Sequence, residues 1–128
     1  MNNKQKFSIS KRINSVTHAF RGLTLFLRTS HNGQAYVFFT LAVLYLGIVL
    51  NISKIEWMIL VVTIGFVFVA EIFNSAIEVD IDLTSPEYHP YARNTKDLSA
   101  AAVVVSVFIS GIIGIMIFLP KILSLFYC

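Results

Sequence analysis

The chain alternates between long apolar stretches and short polar ones. Three of the apolar stretches approach the length of about 20 residues that a helix needs to cross a bilayer. Together with flanking residues that complete each span, they predict transmembrane helices over about residues 33–51, 55–82 and 98–120. Only Asn51 to Lys54 separate the first two spans, so a tight turn joins them and they run antiparallel.

A further apolar pattern precedes the first span. Apolar residues recur at helical spacing at Ile13, Val16, Phe20, Leu23 and Leu27, and the basic residues lie mostly off this stripe. The pattern is typical of a basic amphipathic helix on the membrane surface, here over about residues 11–28. A helix packed on a soluble core is the weaker alternative, because little sequence remains to build such a core. The predicted fold is all-α, one membrane domain over residues 1–128.

Composition and charge support a membrane location. Hydrophobic residues make up 56% of the chain and charged residues 13%, which is too apolar for a soluble domain of 128 residues. Residues 1–55 contain seven Lys/Arg and no Asp or Glu, which indicates contact with anionic lipid rather than nucleic acid. The excess of positive charge predicts that the N-terminus and the loop after the second span face the cytoplasm. Cys128 is the sole cysteine, so no intramolecular disulfide can form.

The acidic residues are concentrated in one part of the chain. Six of the seven Asp and Glu residues lie between positions 71 and 97, and Glu71 follows the second apolar stretch directly. A carboxylate near hydrocarbon is costly unless it is paired, hydrated or bound to a cation, so Glu71 is a candidate functional residue and a possible general base. At about 100° per residue, Asn74, Ser75, Glu78 and Asp82 lie within about 60° of it. These oxygen ligands suit Mg²⁺, although a solvated helix end with acids aligned by chance gives the same spacing.

The longest motif runs from Glu71 to Val103. It reads EIFNSAIExxxD and then SPEYHPxARxxKDxxAAAV. This string resembles the signature of the prokaryotic diacylglycerol kinase and undecaprenol kinase family, which are small integral-membrane lipid kinases. The sequence AFxGL at residues 19–23 and the three spans extend the resemblance over nearly the whole chain.

The resemblance implies a homotrimer in the bacterial inner membrane that moves the γ-phosphoryl group of ATP to a lipid alcohol, with Mg²⁺, at the cytoplasmic interface. The acceptor is left open between undecaprenol and diacylglycerol. Glu71 would be the catalytic base, and Glu78 would hold the metal that bridges the ATP phosphates. The other residues implied in the nucleotide site or its support are Lys11, Asn74, Asp82, Glu87, Tyr88, His89, Lys96 and Asp97.

The chain departs from the family at one position of the metal site. The family normally carries Glu-x-Asn-x-x-x-His near the surface helix, and its glutamate is a second metal ligand. Here Ser30 and Tyr36 take the glutamate and histidine positions, and the first acid of the chain is Glu56, beyond the first span. One hypothesis is an active kinase with an altered metal site, to which His31 or Asn32 could contribute. The alternative is a catalytically impaired relative that binds lipid or nucleotide.

A small cation channel with a ring of acids is a third hypothesis, from another class of protein. The position of the acids argues against it, because none lies at mid-membrane. A stripe of small residues in the third span, Ala102, Ser106, Ser110 and Gly114, predicts close approach of a helix from the same bundle or from another subunit.

Overall fold

The computed structural model describes residues 8–127, and this part of the chain folds into four α-helices without a strand. Three of them are long and apolar enough to cross a membrane, which confirms the all-α, membrane-protein class. Lys4, Lys6 and Cys128 lie outside the described residues. The helices are α1 (Ile9–Thr29), α2 (His31–Val49), α3 (Lys54–Thr84) and α4 (Pro90–Phe126).

The antiparallel hairpin of α3 and α4 forms the most buried part of the described chain. Val67 of α3 and Ser106 of α4 are fully buried. The Ser106 hydroxyl donates to the Val103 carbonyl oxygen at 2.7 Å, so this polar group is satisfied within its own helix. Lys121 pairs with Glu56 at 3.2 Å where α4 ends and α3 begins. This ion pair joins the two helices at the end of the hairpin that lies away from the acidic residues between positions 71 and 97.

The turn between α2 and α3 is as tight as the sequence predicts. Asn51 adopts a left-handed conformation with φ of 51°, which asparagine tolerates better than most residues. The Ile52 N–H donates to the Gly47 carbonyl oxygen at 3.2 Å, the six-to-one bond that ends many helices. Ser53 and Glu56 then form a capping box that starts α3. Both helix ends are therefore fixed by local hydrogen bonds.

Helix α4 is longer at both ends than the sequence pattern predicts. It begins at Pro90 instead of near residue 98, because proline suits the first helical position and the His89 Nδ1 caps the helix by accepting from the Tyr91 N–H at 3.2 Å. It also continues through Pro120 to Phe126. Proline removes one backbone hydrogen bond there, and the turn that follows contacts α3 through the ion pair between Lys121 and Glu56.

Helix α1 leaves most of its apolar side chains exposed. Phe26 is its one buried residue, and its ring meets Phe68 of α3 edge-on with centroids 6.5 Å apart. Ile13, Val16 and Phe20 are 61%, 55% and 66% exposed. The described part of the chain therefore provides no core against which this apolar stripe could pack.

Candidate active site

One face of α3 carries Glu71, Asn74, Glu78 and Asp82, here called the acidic stripe, and it passes from a buried to an exposed environment. Glu71 and Asn74 are each only 7% exposed, whereas Glu78 and Asp82 one and two turns beyond Asn74 are exposed. The helical period explains why these side chains share a face. The stripe therefore places a buried carboxylate next to the apolar spans and exposed carboxylates beyond them.

A hydrogen-bond network joins this stripe to α4. The Asn74 Nδ2 donates to the Glu78 Oε1 at 3.2 Å. The Ser99 hydroxyl donates to the Asn74 Oδ1 at 2.8 Å, and the Lys96 ammonium forms an ion pair with Asp82. Two residues of α4 thus contact the acidic stripe of α3. Ser99 bonds to the Asn74 amide, and Lys96 pairs with the Asp82 carboxylate.

Sequence reasoning did not identify Ser99, although the residue is buried at the centre of this network with 8% exposure. It occupies an unspecified position of the motif, so the resemblance gave no signal for it. Two features of the sequence could have revealed it. Ser99 lies three residues after Lys96 and so faces the same side of the helix, and a buried Asn74 amide requires hydrogen-bond partners.

Glu71 lies in the wall of a cavity of about 860 Å³ between α2, α3 and α4. Most of the other lining residues are apolar, and the small residues Ser110 and Gly114 of the predicted stripe are among them. The Tyr36 hydroxyl at this cavity donates to the Ile64 carbonyl oxygen at 3.1 Å. Among the described residues, no hydrogen bond or ion pair engages the Glu71 carboxylate. The carboxylate is therefore available to a ligand in the cavity.

The predicted nucleotide residues of the loop between α3 and α4 are accessible. Glu87 and Tyr88 are exposed, and His89 caps α4, with its ring centroid 5.6 Å from that of Tyr91. Asp97 is exposed and pairs with Arg93 one turn earlier at 3.8 Å. Within the part of the chain described here, no hydrogen bond or ion pair joins these side chains to Glu78.

Lys11 and Ser30, the remaining predicted positions, both belong to the surface-helix region. Lys11 is exposed on the first turn of α1, and its side chain makes no hydrogen bond or ion pair across residues 8–127. Ser30 ends α1 and starts α2, and its hydroxyl accepts from the Gly33 N–H at 3.0 Å. Ser30 therefore acts as a helix cap. Asn32, two residues later, lines the same cavity as Glu71.

The donor groups fit a cation that is shared with a phosphorylated ligand. Within residues 8–127, no cluster of three or more His, Cys, Asp or Glu side chains could enclose a metal ion. The Glu78 carboxylate is exposed, and only one of its oxygens accepts from Asn74. Mg²⁺ usually binds one or two carboxylates and completes its shell with waters and substrate phosphates. The site fits this arrangement and does not fit an all-protein cage.

The fold and the site together define an integral membrane protein with an apolar cavity in its helical bundle and a polar, acidic cluster at one end of the bundle. Residues 17–118 match the family model described as prokaryotic diacylglycerol kinase. The chain belongs to the prokaryotic diacylglycerol kinase family. By this membership it is an enzyme of the lipid phosphotransferase class, as the motif predicts.

Named relatives cover most of the chain. The undecaprenol kinase of Bacillus subtilis (strain 168) is 42% identical over 113 residues, which are 88% of this chain and 92% of that protein. The diacylglycerol kinase of Synechocystis sp. is 31% identical over 112 residues, 87% of this chain and 64% of that protein. The diacylglycerol kinase of Pseudomonas aeruginosa is 24% identical over 99 residues, 77% of this chain and 80% of that protein.

Proposed function

We propose that this chain transfers the γ-phosphoryl group of ATP to a membrane lipid alcohol, either undecaprenol or diacylglycerol. The observation that carries the proposal is the position of Glu71, a buried carboxylate without a protein partner among the described residues, in the wall of the apolar cavity. The hydrocarbon part of a lipid fits the apolar lining, and its hydroxyl can then meet the carboxylate. The similarity to undecaprenol kinase and diacylglycerol kinases supports both acceptors.

The position of Glu71 along α3 fits an acceptor site just inside the membrane. Glu56 and Glu71 are separated by fifteen residues, about 22 Å of helix. If the Glu56–Lys121 pair lies at one membrane surface, Glu71 lies several ångströms inside the opposite edge of a hydrocarbon core about 30 Å thick. Glu78 is two turns further, about 10 Å along the helix, and reaches the aqueous interface. The lipid hydroxyl and the ATP phosphates can thus approach from opposite sides.

The chemistry requires little covalent help from the protein. The Glu71 carboxylate takes the proton of the lipid hydroxyl, whose oxygen forms the new bond to the γ-phosphorus while the bond to the β-phosphate oxygen breaks and ADP leaves. Glu78 would hold Mg²⁺, which when bound neutralises phosphate charge. Asn74 orients the Glu78 carboxylate, and the ion pair with Lys96 holds Asp82 in place beside it.

The residues assigned to ATP by the resemblance lie on two elements. Glu87, Tyr88 and His89 are in the loop before α4, and Asp97 is in its second turn, so they can form one side of a nucleotide pocket. Lys11 would close that pocket from α1. The surface position proposed for α1 brings its exposed apolar stripe into contact with lipid and its basic residues into contact with lipid head groups.

The topology and assembly belong to the same proposal. The basic residues before α2 favour a cytoplasmic N-terminus in the bacterial inner membrane, and the α3–α4 loop then lies on the side that contains ATP. A homotrimer, as in the family resemblance, would cover part of the apolar surface that a thin three-span bundle leaves exposed. Chemical crosslinking in detergent tests this assembly, and a protein that crosslinks only to dimers would contradict it.

The activity itself is tested with purified protein in detergent micelles, γ-labelled ATP and Mg²⁺. We expect a labelled phosphomonoester of undecaprenol or of diacylglycerol, and the faster of the two reactions identifies the acceptor. A micelle without added lipid alcohol is the control. Label released only as inorganic phosphate, with either alcohol present, would contradict the proposal.

The second candidate is an impaired kinase that binds lipid or nucleotide without transfer. The observation that favours it is the side chain of Ser30, which caps α2 and provides no carboxylate to the site. The Ser30→Glu variant separates the two candidates. For an active kinase, we expect it to retain turnover and to lose about 1 kcal/mol of stability with the cap. Turnover that is absent in the natural chain and present in this variant would establish the impaired kinase.

A further inference from the structure

The buried hydroxyl of Ser99 connects α4 to the acidic stripe of α3. Its Oγ lies 2.8 Å from the Asn74 Oδ1 and 2.9 Å from the carbonyl oxygen of Lys96. Both Ser99 and Asn74 are more than nine-tenths buried. A hydroxyl has one proton, so Ser99 can donate to only one of these two oxygens at a time. The longer contact is the ordinary bond of a helical serine to its own backbone, and the shorter one crosses to the neighbouring helix.

The direction of the cross-helix bond follows from the chemistry of Glu78. An ionised carboxylate only accepts hydrogen bonds, so the Asn74 amide presents its NH₂ group to Glu78. The amide oxygen then faces Ser99, which must donate to it. The three groups form a chain of defined polarity, from the Ser99 hydroxyl through the Asn74 amide to the Glu78 carboxylate. Asn74 cannot rotate to release Glu78 without also breaking its buried bond to Ser99.

We propose that Ser99 is a positioning residue that fixes, through Asn74, the orientation of the Glu78 carboxylate toward a divalent cation bound with ATP. This inference rests on the proposed function, because it requires the cation at Glu78. It adds a residue that neither the motif nor the charge pattern identifies. Glu78 is exposed and its side chain is long, so without this support it would sample several rotamers and bind the cation with lower affinity.

The expected effect is a weaker cation affinity at a nearly unchanged maximal rate. Loss of a group that orients a metal ligand typically costs about 10- to 100-fold in affinity. Ser99 acts one hydrogen bond further away, so we expect about a 3- to 10-fold increase in the dissociation constant for Ser99→Ala. The natural geometry of Glu78 remains accessible in this variant, so saturating cation should restore most of the rate.

The experiment compares Ser99→Ala with Ser106→Ala in detergent-solubilised full-length protein. Ser106 is a buried serine of the same helix, and across residues 8–127 its hydroxyl makes no hydrogen bond outside α4, so its removal is a matched structural control. Equilibrium dialysis of Mn²⁺ with β,γ-imido ATP on both sides gives the dissociation constant without turnover. We expect the 3- to 10-fold increase for Ser99→Ala and a change below about 1.5-fold for Ser106→Ala. The Mg²⁺ concentration for half-maximal kinase activity should shift by the same factor.

Three further variants make the result decisive. Ser99→Thr retains the hydroxyl and should bind Mn²⁺ like the natural chain. Ser99→Cys has a side chain of similar size whose thiol is only a weak hydrogen-bond donor. If Ser99→Ala does not fold, the same increase in the dissociation constant is expected for Ser99→Cys. Equal dissociation constants for the natural chain and for Ser99→Ala, or for Ser99→Cys in its place, would overturn the role of Ser99. Glu78→Gln distinguishes a failure of this inference from a failure of the proposed function. Undiminished Mn²⁺ binding by that variant would show that Glu78 does not hold the cation.

Discussion

Replacement of Glu71 by glutamine is the sharpest perturbation of the proposed chemistry. The two side chains have nearly the same size and shape, so the substitution removes the capacity to accept a proton and leaves the packing intact. Glu71 is 7% exposed and, within residues 8–127, has no hydrogen-bond or ion-pair partner. The substitution therefore breaks no hydrogen bond or ion pair among the described residues, and a neutral amide costs less to bury than a carboxylate.

The substitution should lower the catalytic rate without lowering the stability of the fold. A positioned general base contributes about 10²- to 10⁴-fold to a rate, so kcat for Glu71→Gln should fall by that factor. This corresponds to about 3–5 kcal/mol of transition-state stabilisation. The free energy of unfolding should stay the same or rise, because a buried charge without a partner is removed. The KM for ATP should change less than about twofold, since the phosphates meet Glu78 about 10 Å away along the helix.

The assay measures initial rates of phosphoryl transfer to the preferred lipid alcohol, together with thermal unfolding of the same preparations in detergent. Asp80→Asn is the matched control, because Asp80 is an exposed carboxylate on the opposite side of α3. It should keep kcat within about twofold of the natural chain. A Glu71→Gln enzyme with kcat within tenfold of the natural chain would refute the general-base role. An equal loss of kcat in Asp80→Asn would refute the assignment of the base to the face of α3 that carries Glu71.

Two other substitutions test the site and the fold. Asn74→Ala removes the hydrogen bond to the charged Glu78, and a bond of this kind contributes about 1.5–3 kcal/mol. The value of kcat/KM should therefore fall about 10- to 100-fold. A loss below about threefold would contradict the orienting role of Asn74. Gly47→Ala should lower the free energy of unfolding by about 1–3 kcal/mol, because its Cβ would lie 2.8 Å from the rigid ring of Trp57. Gly65→Ala is its control, since nothing apart from its chain neighbours and the backbone of its own helix lies within 4 Å of the added Cβ. Equal melting temperatures for the two variants would count against this packing.

The sequence predicts the direction of each α3 side chain in the site well. Helical periodicity alone places Glu71, Asn74 and Glu78 on one face, and the structure has them there, with Glu71 and Asn74 buried and Glu78 exposed. The boundary between apolar and polar sequence also predicts that Glu71 lies at the membrane edge of that face. These properties depend on residues within one helix, so no knowledge of tertiary packing is required.

Contacts between helices could not be predicted in the same way. The pairing of Ser99 with Asn74 depends on the rotation of α4 about its axis and on the register of the hairpin, which no local pattern specifies. Helix α4 starts at Pro90 and not near residue 98, because proline favours the helix at the first helical position. The cap formed by Ser30 follows a local rule and could have been predicted from the serine that precedes α2.

The central claim is that Glu78 holds a cation and the ATP phosphates while Glu71 meets the lipid hydroxyl. The most direct test is the rate of γ-phosphate transfer to undecaprenol and to diacylglycerol by the natural chain and by Glu78→Gln, measured side by side over a range of Mg²⁺ concentrations. We predict Mg²⁺-dependent transfer to one of the two alcohols by the natural chain and a loss of at least about 100-fold in Glu78→Gln at every Mg²⁺ concentration. Equal transfer by both proteins would contradict the account.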